Sequence, residues 1–585
     1  MVRTRGILQI FLFAFVCLAG SGVQARNVDD TLIALDPKVI IGRLPNGLTY
    51  YIRQNSEPKN RVELRLVVNA GSILENEDHR FLFHFVEHMA FNGTEHFPKN
   101  ELVSYLQSIG VKFGGDLNAS TSFDETIYML PIPTKNPANL ETGFQVLADW
   151  AGGLLFDPAE IDKERDVILE EVRLGKGASD RVRRKLLPEL FAGSRYAERL
   201  PIGSEQIIAD ADYETIRAFY HDWYRPDLMA VVVVGDIDPV RAQSLIEKNF
   251  ASLENPSSER TRATFPVPPM AVSKSLIITD KENTSSSLQL FGSNNPRRAI
   301  NTLGDYRQQL NRAIVFAALN QRLLEKAQSS NPPFIGDYSG IGGLVRGQEV
   351  YQGVAVVGDT GTEPALAALI RESERMRRFG VTQAELDRAK SNLNKAYQQA
   401  FSERDKSQSA NYAQAYIRHF LEQAPIPGAE LELAYANQLL PVIGLEEVNT
   451  YAAKWIPENG NTLLALVAPD KTNYSLPDPA ALTAQLSKAY KQQVTAYTEK
   501  IISTQLLTES PTPGRLLSSA PIPSINLTTL TFANGTKVLL KPTDFKNDEV
   551  LLSGFREGGT NGYPIIDRLN ADFAASLDNI TGLST

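Results

Sequence analysis

Cysteine is nearly absent from this sequence, because Cys17 is the only one among 585 residues. A disulfide framework and a thiolate metal cage are therefore excluded, and a bound metal would have to be held by imidazole and carboxylate groups. Histidine is scarce as well, with six in the whole chain. A close grouping of histidines is therefore not expected by chance and carries information about function.

Positive charge is not in excess. Lys and Arg total 59 against 68 Asp and Glu, which gives a formal net charge of −9. Without a dominant basic tract to follow a phosphate backbone, nucleic acid is not an expected partner. The 43% hydrophobic content is ordinary for a globular protein. The length leaves room for about three or four domains.

Long apolar runs are missing after the start of the chain, so no later segment is expected to span a bilayer. The start has two arginines, an apolar run over residues 7–19 and the small-residue triplet Val23-Gln24-Ala25. This pattern predicts a signal peptide, residues 1–25, cleaved after Ala25 to release an exported, periplasmic protein. The alternatives are a membrane anchor, for which the run is short, and a lipidated N-terminus at Cys17.

Self-comparison shows that the chain repeats itself. Residues 155–163 recur in type at 378–388 with an offset of 225. A segment that ends in Trp223 and precedes an apolar strand recurs at Trp455, with an offset of 232. We therefore predict two copies of one domain, at residues 30–260 and 270–500.

A third copy begins near the end of the chain. Asn46-Gly47 and Asn534-Gly535 match at an offset of 488, each between two runs of strand-forming residues. This match predicts an incomplete third repeat at residues 526–585. The proline-rich segment before it predicts a linker at residues 501–525.

Each copy mixes strands and helix pairs without regular alternation. Residues 62–68 alternate as a strand, residues 113–131 hold two more, and residues 139–154 and 157–174 have helical patterns. This order favours an α+β fold, in which a mainly antiparallel sheet is covered on one face by helices.

The segment with the clearest chemistry is His84-Phe85-Val86-Glu87-His88, inside an apolar helical stretch. At about 100° per residue, His84 and His88 lie on one helical face within reach of one ion, and Glu87 flanks that face. The alternative is a pair of core histidines satisfied by backbone carbonyls. An unpaired glutamate buried beside two imidazoles would be costly, whereas a divalent cation compensates for it. Zinc suits such ligands.

A third ligand is expected from the helix at residues 157–174. Helical projection places Glu164 and Glu171 inside the apolar arc, between the side chains of Leu174, Val167, Ile168 and Val172. Glu170 points to the polar side. We predict Glu171 as the ligand and Glu164 as its partner or as a carboxylate that orients a ligand imidazole. A solvated face with two incidental glutamates is the alternative.

The repeats indicate which copy carries the site. At the offset of 225, Glu164 and Glu171 correspond to Ala389 and Ala396. The copy at 270–500 is therefore predicted to be inactive, and the fold evidently does not need these carboxylates.

These motifs resemble the pitrilysin/insulinase family of zinc metallopeptidases. In that family an inverted His-x-x-Glu-His motif is followed by a ligand glutamate, and here 83 positions separate His88 from Glu171. Residues 87–94, 113–126 and 223–230 match the family as well. The resemblance implies that His84, His88 and Glu171 bind Zn²⁺, that Glu87 is the base and that Glu164 supports the site.

The resemblance further implies that Asn118 and Ala119 lie on an edge strand that pairs with an extended peptide. One departure concerns the residues before the motif. Phe81-Leu82-Phe83 stand where the family has a small Gly-x-Ala run, so crowding of the motif helix against the sheet is expected.

The predicted function is an exported zinc-dependent endopeptidase that cleaves extended peptides or unfolded polypeptides with a metal-activated water. The alternative is a non-catalytic binding or assembly subunit, or an inactive fragment, that retains the fold. Family members carry four such domains as two halves that close over the substrate. A separate C-terminal half or a second copy of the chain is therefore an expected partner.

Overall fold

The computed structural model describes residues 28–112, 114, 118–175, 177–201, 205–471, 476–499 and 511–581. The predicted signal peptide, residues 1–25, lies outside the described residues, as do residues 501–510 of the predicted linker. Within the described ranges, no helix has the length and apolar character needed to cross a membrane.

The first sheet has six strands in the spatial order β1-β2-β6-β3-β5-β4. Its strands are β1 (Ile40–Arg43), β2 (Thr49–Gln54), β3 (Arg61–Val68), β4 (Asn118–Thr121), β5 (Thr126–Pro133) and β6 (Met229–Gly235). Neighbours are antiparallel except β2 and β6, which are parallel. Strand β6 is buried along its whole length, as its run of four valines predicts for a central strand.

In the first region, residues 40–250, the described residues form eight helices that lie between the strands or after the last one. They are α1 (Leu82–Met89), α2 (Glu101–Ser108), α3 (Pro137–Gly152), α4 (Pro158–Gly175), α5 (Ala178–Leu190), α6 (Glu205–Asp210), α7 (Tyr213–Trp223) and α8 (Pro239–Phe250). Helix α3 begins where the Asn136 side chain accepts a hydrogen bond from the Ala138 amide. Phe144 of α3 and Phe219 of α7 join Leu64 of β3 in one hydrophobic core.

The second sheet repeats this topology. Its strands are β7 (Lys274–Asp280), β8 (Ser287–Phe291), β9 (Asn295–Pro296), β10 (Phe334–Gly342), β11 (Gln348–Val357) and β12 (Leu463–Pro469). The order is β10-β11-β8-β12-β7, with β9 paired to β11. Strands β7 and β12 are parallel and the remaining pairs are antiparallel. The first sheet without β1 has the same order and directions.

The second region, residues 274–491, contains a helix of 25 residues, Leu303–Ala327, which is longer than any described helix of the first region. Its described helices are of very different lengths. They are α9 (Leu303–Ala327), α10 (Thr362–Phe379), α11 (Gln383–Ser402), α12 (Ser409–Glu422), α13 (Gly428–Leu439), α14 (Leu445–Trp455) and α15 (Pro479–Lys491). Helix α12 leaves its own region and packs on the outer face of the first sheet, where Tyr416 and Ile417 contact Tyr51 and Val232.

The predicted α+β class is confirmed by this architecture and by the strand directions. The structure adds one feature to it, because α12 covers the sheet face opposite to α3 and α7. The first sheet therefore lies between two helical layers, one of which comes from the second region.

A third sheet follows, formed by β13 (Leu516–Ile522), β14 (Leu527–Phe532) and β15 (Lys537–Leu540), with α16 (Arg568–Thr581) after it. Strand β13 lies inside residues 501–525, which the prolines led us to expect as a linker. It is an edge strand, where a proline such as Pro521 is tolerated because it need not donate to a neighbour. The segment between β15 and α16 leaves large apolar side chains in solvent, since Val550, Leu552 and Phe555 are more than 90% exposed.

Candidate metal centre

Helix α1 places two imidazoles side by side. His84 and His88 are one turn apart, their ring centroids lie 4.8 Å apart, and their Nε2 atoms are 3.1 Å apart. The rest of the helix is buried, with Phe85 and Val86 in the core. The chain leaves the helix through Gly93 at φ 121°, the left-handed conformation that glycine adopts easily.

The two phenylalanines before the motif are accommodated in the core. Phe83 packs edge-on against Phe219 with 4.6 Å between ring centroids, and the Phe81 ring lies 4.7 Å from the His84 ring. The cost appears in the backbone, since Phe81 has φ 96° at the N-cap position. The chain therefore accommodates the two phenylalanines by a turn at Phe81, and this turn places the Phe81 ring against the candidate ligand His84.

Glu75 helps to hold the start of α1 and was not predicted from the sequence. Its Oε1 accepts a hydrogen bond of 3.1 Å from the Phe83 amide, so it satisfies an amide at the start of α1 where no N-cap side chain does. Burial raises the pKa of Glu75 to about 8. Glu75 is separated from the motif by a turn of irregular chain, so no helical spacing pointed to it.

Helix α4 brings Glu171 to the two imidazoles. The distance from His84 Nε2 to Glu171 Oε1 is 3.7 Å, and that from His88 Nε2 to Glu171 Oε2 is 3.1 Å. The donor atoms of the three residues all lie within 4.8 Å of one another. Ligand atoms around a tetrahedral zinc with bonds of about 2.0–2.1 Å are roughly 3.3 Å apart. The three side chains therefore fit a zinc ion.

The predicted apolar arc of α4 is only partly correct. Ile168 and Val172 are buried, but the side chains of Val167 and Leu174 are exposed, by 53% and 70%. These two residues face solvent rather than the core, which helical periodicity alone does not reveal. Glu171 consequently lies at the border of the buried face. Glu170 points outward and pairs with Arg173, as projected.

Glu164 lies behind the imidazole of His88. Its Oε1 is 2.7 Å from His88 Nδ1, and its Oε2 accepts a hydrogen bond of 2.7 Å from the side-chain Nδ2 of Asn92. A carboxylate on Nδ1 fixes the ring so that Nε2 faces the candidate metal position.

Glu87 is buried next to the ligand cluster. Its Oε2 is 4.0 Å from His84 Nε2 and accepts a hydrogen bond of 2.9 Å from Thr121 Oγ1. Burial raises the pKa of Glu87. Thr121 was not singled out from the sequence, although it lies two residues beyond the predicted substrate contact Ala119.

The metal-free imidazoles differ in proton affinity. Burial and the neighbouring His88 lower the pKa of His84 to about 4. Burial also disfavours the charged form of His88, but hydrogen bonds to Glu164 and Glu171 outweigh it and raise the His88 pKa to about 9. The hydrogen bond to His88 lowers the pKa of Glu171. His88 is therefore the imidazole with the higher proton affinity, and its Nε2 lies 3.1 Å from Glu171 on the side where a cation would bind.

The cluster opens into a cavity of about 740 Å³ between β4 and α2. Asn118 and Ala119 of β4 line it, together with Ser104 and Gln107 of α2. Strand β4 is the last strand of its sheet and pairs with β5 on one side. The Asn118 side chain accepts a hydrogen bond of 2.9 Å from the Ala119 amide. The structure therefore brings both predicted substrate contacts into the cavity that holds the ligand cluster.

Comparison with known proteins bears on the whole arrangement. A family model described as insulinase, peptidase family M16, matches residues 50–200. A second, described as the peptidase M16 inactive domain, matches residues 210–393. The chain belongs to the M16 peptidase family.

Two relatives extend the match over nearly all of this M16 chain. A protein named "Zinc protease PQQL-like" from Arabidopsis thaliana is 31% identical over 544 residues, covering 93% of this chain and 54% of its own length. A "Probable zinc protease PqqL" from Escherichia coli is 29% identical over 538 residues, covering 90% and 57%. The chain thus spans about half the length of these relatives.

Solved structures show the same M16 fold. The crystal structure of the first half of the periplasmic protease PqqL from Escherichia coli superposes with a TM-score of 0.74 at 29% identity. It covers 80% of this chain and the whole of that one. The M16 chain described here is therefore similar to one half of a zinc protease.

Proposed function

We propose that this chain supplies the catalytic part of a zinc-dependent endopeptidase. The observation that carries the proposal is the convergence of His84, His88 and Glu171 in a cavity that also holds the Glu87 carboxylate. Nε2 of each histidine and a carboxylate oxygen of Glu171 would hold the ion. Zinc bound there supplies Lewis acidity, which lowers the pKa of water and polarises a peptide carbonyl.

Glu87 serves as the general base in this proposal. Its carboxylate accepts a proton from the attacking water and returns it to the leaving amine of the cleaved peptide. Two features support the role. Burial raises the pKa of Glu87 toward the working pH, and the Thr121 hydroxyl fixes the carboxylate beside the ligand cluster. Glu164 holds the His88 ring without reaching the reacting atoms.

The substrate class follows from β4. An extended peptide can add to this edge strand through main-chain hydrogen bonds, with Asn118 and Ala119 as the pairing residues. A folded domain presents few such segments, so we propose peptides or unfolded polypeptides as substrates. Pairing along β4 would carry the scissile bond past Thr121 and Glu87.

We further propose export to the periplasm and a partner that completes the enzyme. Support for export comes from the signal pattern of residues 1–25 and from the periplasmic relative of known structure. Support for a partner comes from the half-length coverage of the relatives, which favours a C-terminal half or a second copy. N-terminal sequencing that finds Arg26 supports cleavage after Ala25. A lipidated start at Cys17 contradicts it.

The central test combines metal content and cleavage. Purified protein, alone and with a separately expressed C-terminal half from a relative, is analysed for zinc and assayed with an unstructured peptide. We expect about one zinc per chain, and Glu87→Gln should retain it while cleavage falls by roughly 10²–10⁴-fold. Glu170→Gln, an exposed control, should change neither. Loss of zinc in Glu87→Gln, or unchanged cleavage, contradicts the assignment.

The same assay distinguishes the alternative function. A wild-type chain that binds one zinc but cleaves nothing, with or without the added half, supports a binding or assembly subunit. The half-length coverage of the zinc-protease relatives is the observation that favours this alternative.

A further inference from the structure

A loop of the second region reaches the turn next to the candidate active site. Residues 343–347 connect β10 and β11, and Val345 of this loop is buried in the hydrophobic core of the first region. The Arg346 amide donates a hydrogen bond of 3.1 Å to Asp124 Oδ2. Asp124 lies in the turn of residues 122–125 between β4 and β5.

The Arg346 side chain fastens the same turn at two more points. Its Nη2 donates to the Asp124 carbonyl oxygen at 3.1 Å and to Glu125 Oε2 at 2.7 Å. Its Nη1 donates to the side-chain oxygen of Asn69, which follows β3. The guanidinium therefore bridges the turn to the centre of the first sheet, and it is largely buried, with a side chain 15% exposed.

Asp124 is the anchor on the receiving side. It is 3% exposed, and its Oδ1 accepts hydrogen bonds from the Tyr196 hydroxyl at 2.9 Å and from Arg262 Nη2 at 3.2 Å. Arg262 belongs to the segment that joins the two regions, and Arg346 to the second region. The Asp124 carboxylate is thus met by one cation, Arg262, and by the Arg346 amide, both of which come from outside the first region.

The turn transmits this anchoring to β4. The Ser122 amide donates to the Glu125 carbonyl at 2.9 Å, and the Ser122 hydroxyl donates to Glu125 Oε1 at 2.7 Å. Glu125 is therefore held by Ser122 on one oxygen and by Arg346 on the other. Thr121, which hydrogen-bonds Glu87, immediately precedes this turn.

Strand β4 needs such support. It has four residues and pairs with β5 through Asn118 to Thr121. A short strand that is paired on one side has few interactions of its own to hold it in place, so its position depends on how its ends are anchored. The Arg346 contacts lie at the end that carries Thr121.

We propose that Arg346 is a positioning residue for the active site of the first region. It holds the turn of residues 122–125, and through it the substrate-pairing strand β4 and the Thr121 hydroxyl on Glu87. The second region, which has alanines in place of the site carboxylates, thereby contributes to peptide binding and hydrolysis. This inference rests on the proposed function.

The experiment compares Arg346→Gln with Arg297→Gln in the full chain. Arg297 lines the same cavity between the two regions but pairs with Glu422 of the second region, so it is a matched control. We expect amide hydrogen exchange of residues 118–128 to be roughly tenfold faster in Arg346→Gln, because losing a hydrogen bond to a charged group loosens the strand. Zinc content should not change.

Cleavage gives a second readout. Arg346→Gln should raise KM for an unstructured peptide, because β4 pairs with it, and should lower kcat through Thr121. Arg346→Lys, which keeps the charge but not the guanidinium fork, should recover part of both. Added guanidinium should also restore cleavage in Arg346→Ala, because Arg346 lines a cavity of about 390 Å³ that can admit it.

Two results would overturn the proposal. One is exchange at residues 118–128 that is unchanged in Arg346→Gln; the other is a kcat/KM that falls equally in Arg297→Gln. If Arg346→Gln does not fold, Glu125→Gln removes the same ion pair from the other side and must give the same exchange result. A wild-type chain without zinc or cleavage would sink the proposed function, whereas the exchange experiment would still decide whether Arg346 positions β4.

Discussion

The two repeated regions share one strand topology but differ in the helices that lie beside the sheet. In the second region, α9 runs for 25 residues and begins with a capping box formed by Thr302 and Asp305. In the first region the corresponding stretch holds two eight-residue helices, α1 and α2, and α1 has no side-chain N-cap. The cavity lies between α2 and β4, so the short helices make room for a site where the long helix fills the space.

The carboxylates of the two regions also have different partners. In the second, Glu385 is held by the Arg322 guanidinium at 2.6 Å, and Glu374 by Arg377. In the first, Glu164 and Glu171 face the imidazoles of α1. A guanidinium is a permanent counter-charge, whereas an imidazole can give up its proton and leave the position of the cation to a metal. The comparison teaches that the two regions differ both in the helices beside the sheet and in the groups that face the carboxylates.

The largest expected effect concerns the ligand on α4. Glu171→Gln should weaken zinc binding by more than the roughly 10–100-fold that loss of an outer-sphere partner costs. Glu170→Gln, on the adjacent exposed position, should leave the zinc dissociation constant unchanged. Competition titration with a chromophoric chelator measures both. Equal effects of the two variants would remove the distinction between the candidate ligand and its exposed neighbour.

Glu164→Gln should have the next largest effect, lowering zinc affinity by roughly 10–100-fold because the His88 ring loses its orienting carboxylate. Glu160→Gln is a suitable control, since Glu160 is also buried on α4 but pairs with Lys163. The same chelator titration applies. An unchanged affinity in Glu164→Gln would show that the hydrogen bond to His88 Nδ1 does not tune the site.

The third prediction tests whether the second region accepts a carboxylate of the kind that the first region carries. Ala389 is buried, so Ala389→Glu should lower the free energy of unfolding by about 1–3 kcal/mol, because the new carboxyl group enters an apolar cluster. Ala396→Glu, at an exposed position of the same helix, should have little effect. Urea denaturation measures the free energy of unfolding of both variants. An unchanged value in Ala389→Glu would mean that the second region tolerates a carboxylate at this position.

The smallest expected effect is the number of protons released when zinc binds. At pH 7.5 the metal-free protein holds a proton on His88, whose pKa is raised to about 9, while His84, with a pKa of about 4, is neutral. Zinc requires neutral imidazoles, so binding should release about one proton, and affinity should rise with pH until about pH 9. Calorimetry in buffers of different ionisation enthalpy measures the release. Binding without proton release would contradict the assignment of His88.

The same shifts set how the metal-free protein responds to pH. Above pH 6.5 the folded state binds the His88 proton more tightly than the unfolded state, so this stabilisation is lost as pH rises through about 9. Below pH 6.5 the neutral His84 is the relevant group, and stability falls as pH drops through about 4.

Local patterns in the sequence predicted the motif helix, the helix that carries Glu164 and Glu171, and the recurrence of one domain. Helical spacing brings His84 and His88 together, and it places Glu164 and Glu171 on the side of α4 that meets them. It failed at Val167 and Leu174, which are exposed, because apolar periodicity does not show which side chains a neighbouring element covers. It also gave no sign of Thr121 or Arg346.

Those omissions have one physical reason. Thr121 is 34 residues from Glu87, and Arg346 is 222 residues from Asp124. Contacts at such separations are set by how sheets and loops pack, which no single-segment pattern records. The cover that α12 gives to the first sheet is of the same kind.

The central claim is that one zinc ion sits in the first region, held by His84, His88 and Glu171, and none in the second. Anomalous diffraction at the zinc edge from crystals of the zinc-loaded chain tests it directly. We predict a single strong peak at about 2.0–2.2 Å from His84 Nε2, His88 Nε2 and a Glu171 oxygen, with Glu87 outside the coordination sphere. A peak coordinated by Glu87 instead of Glu171, or one near Ala389 and Ala396, would contradict the account.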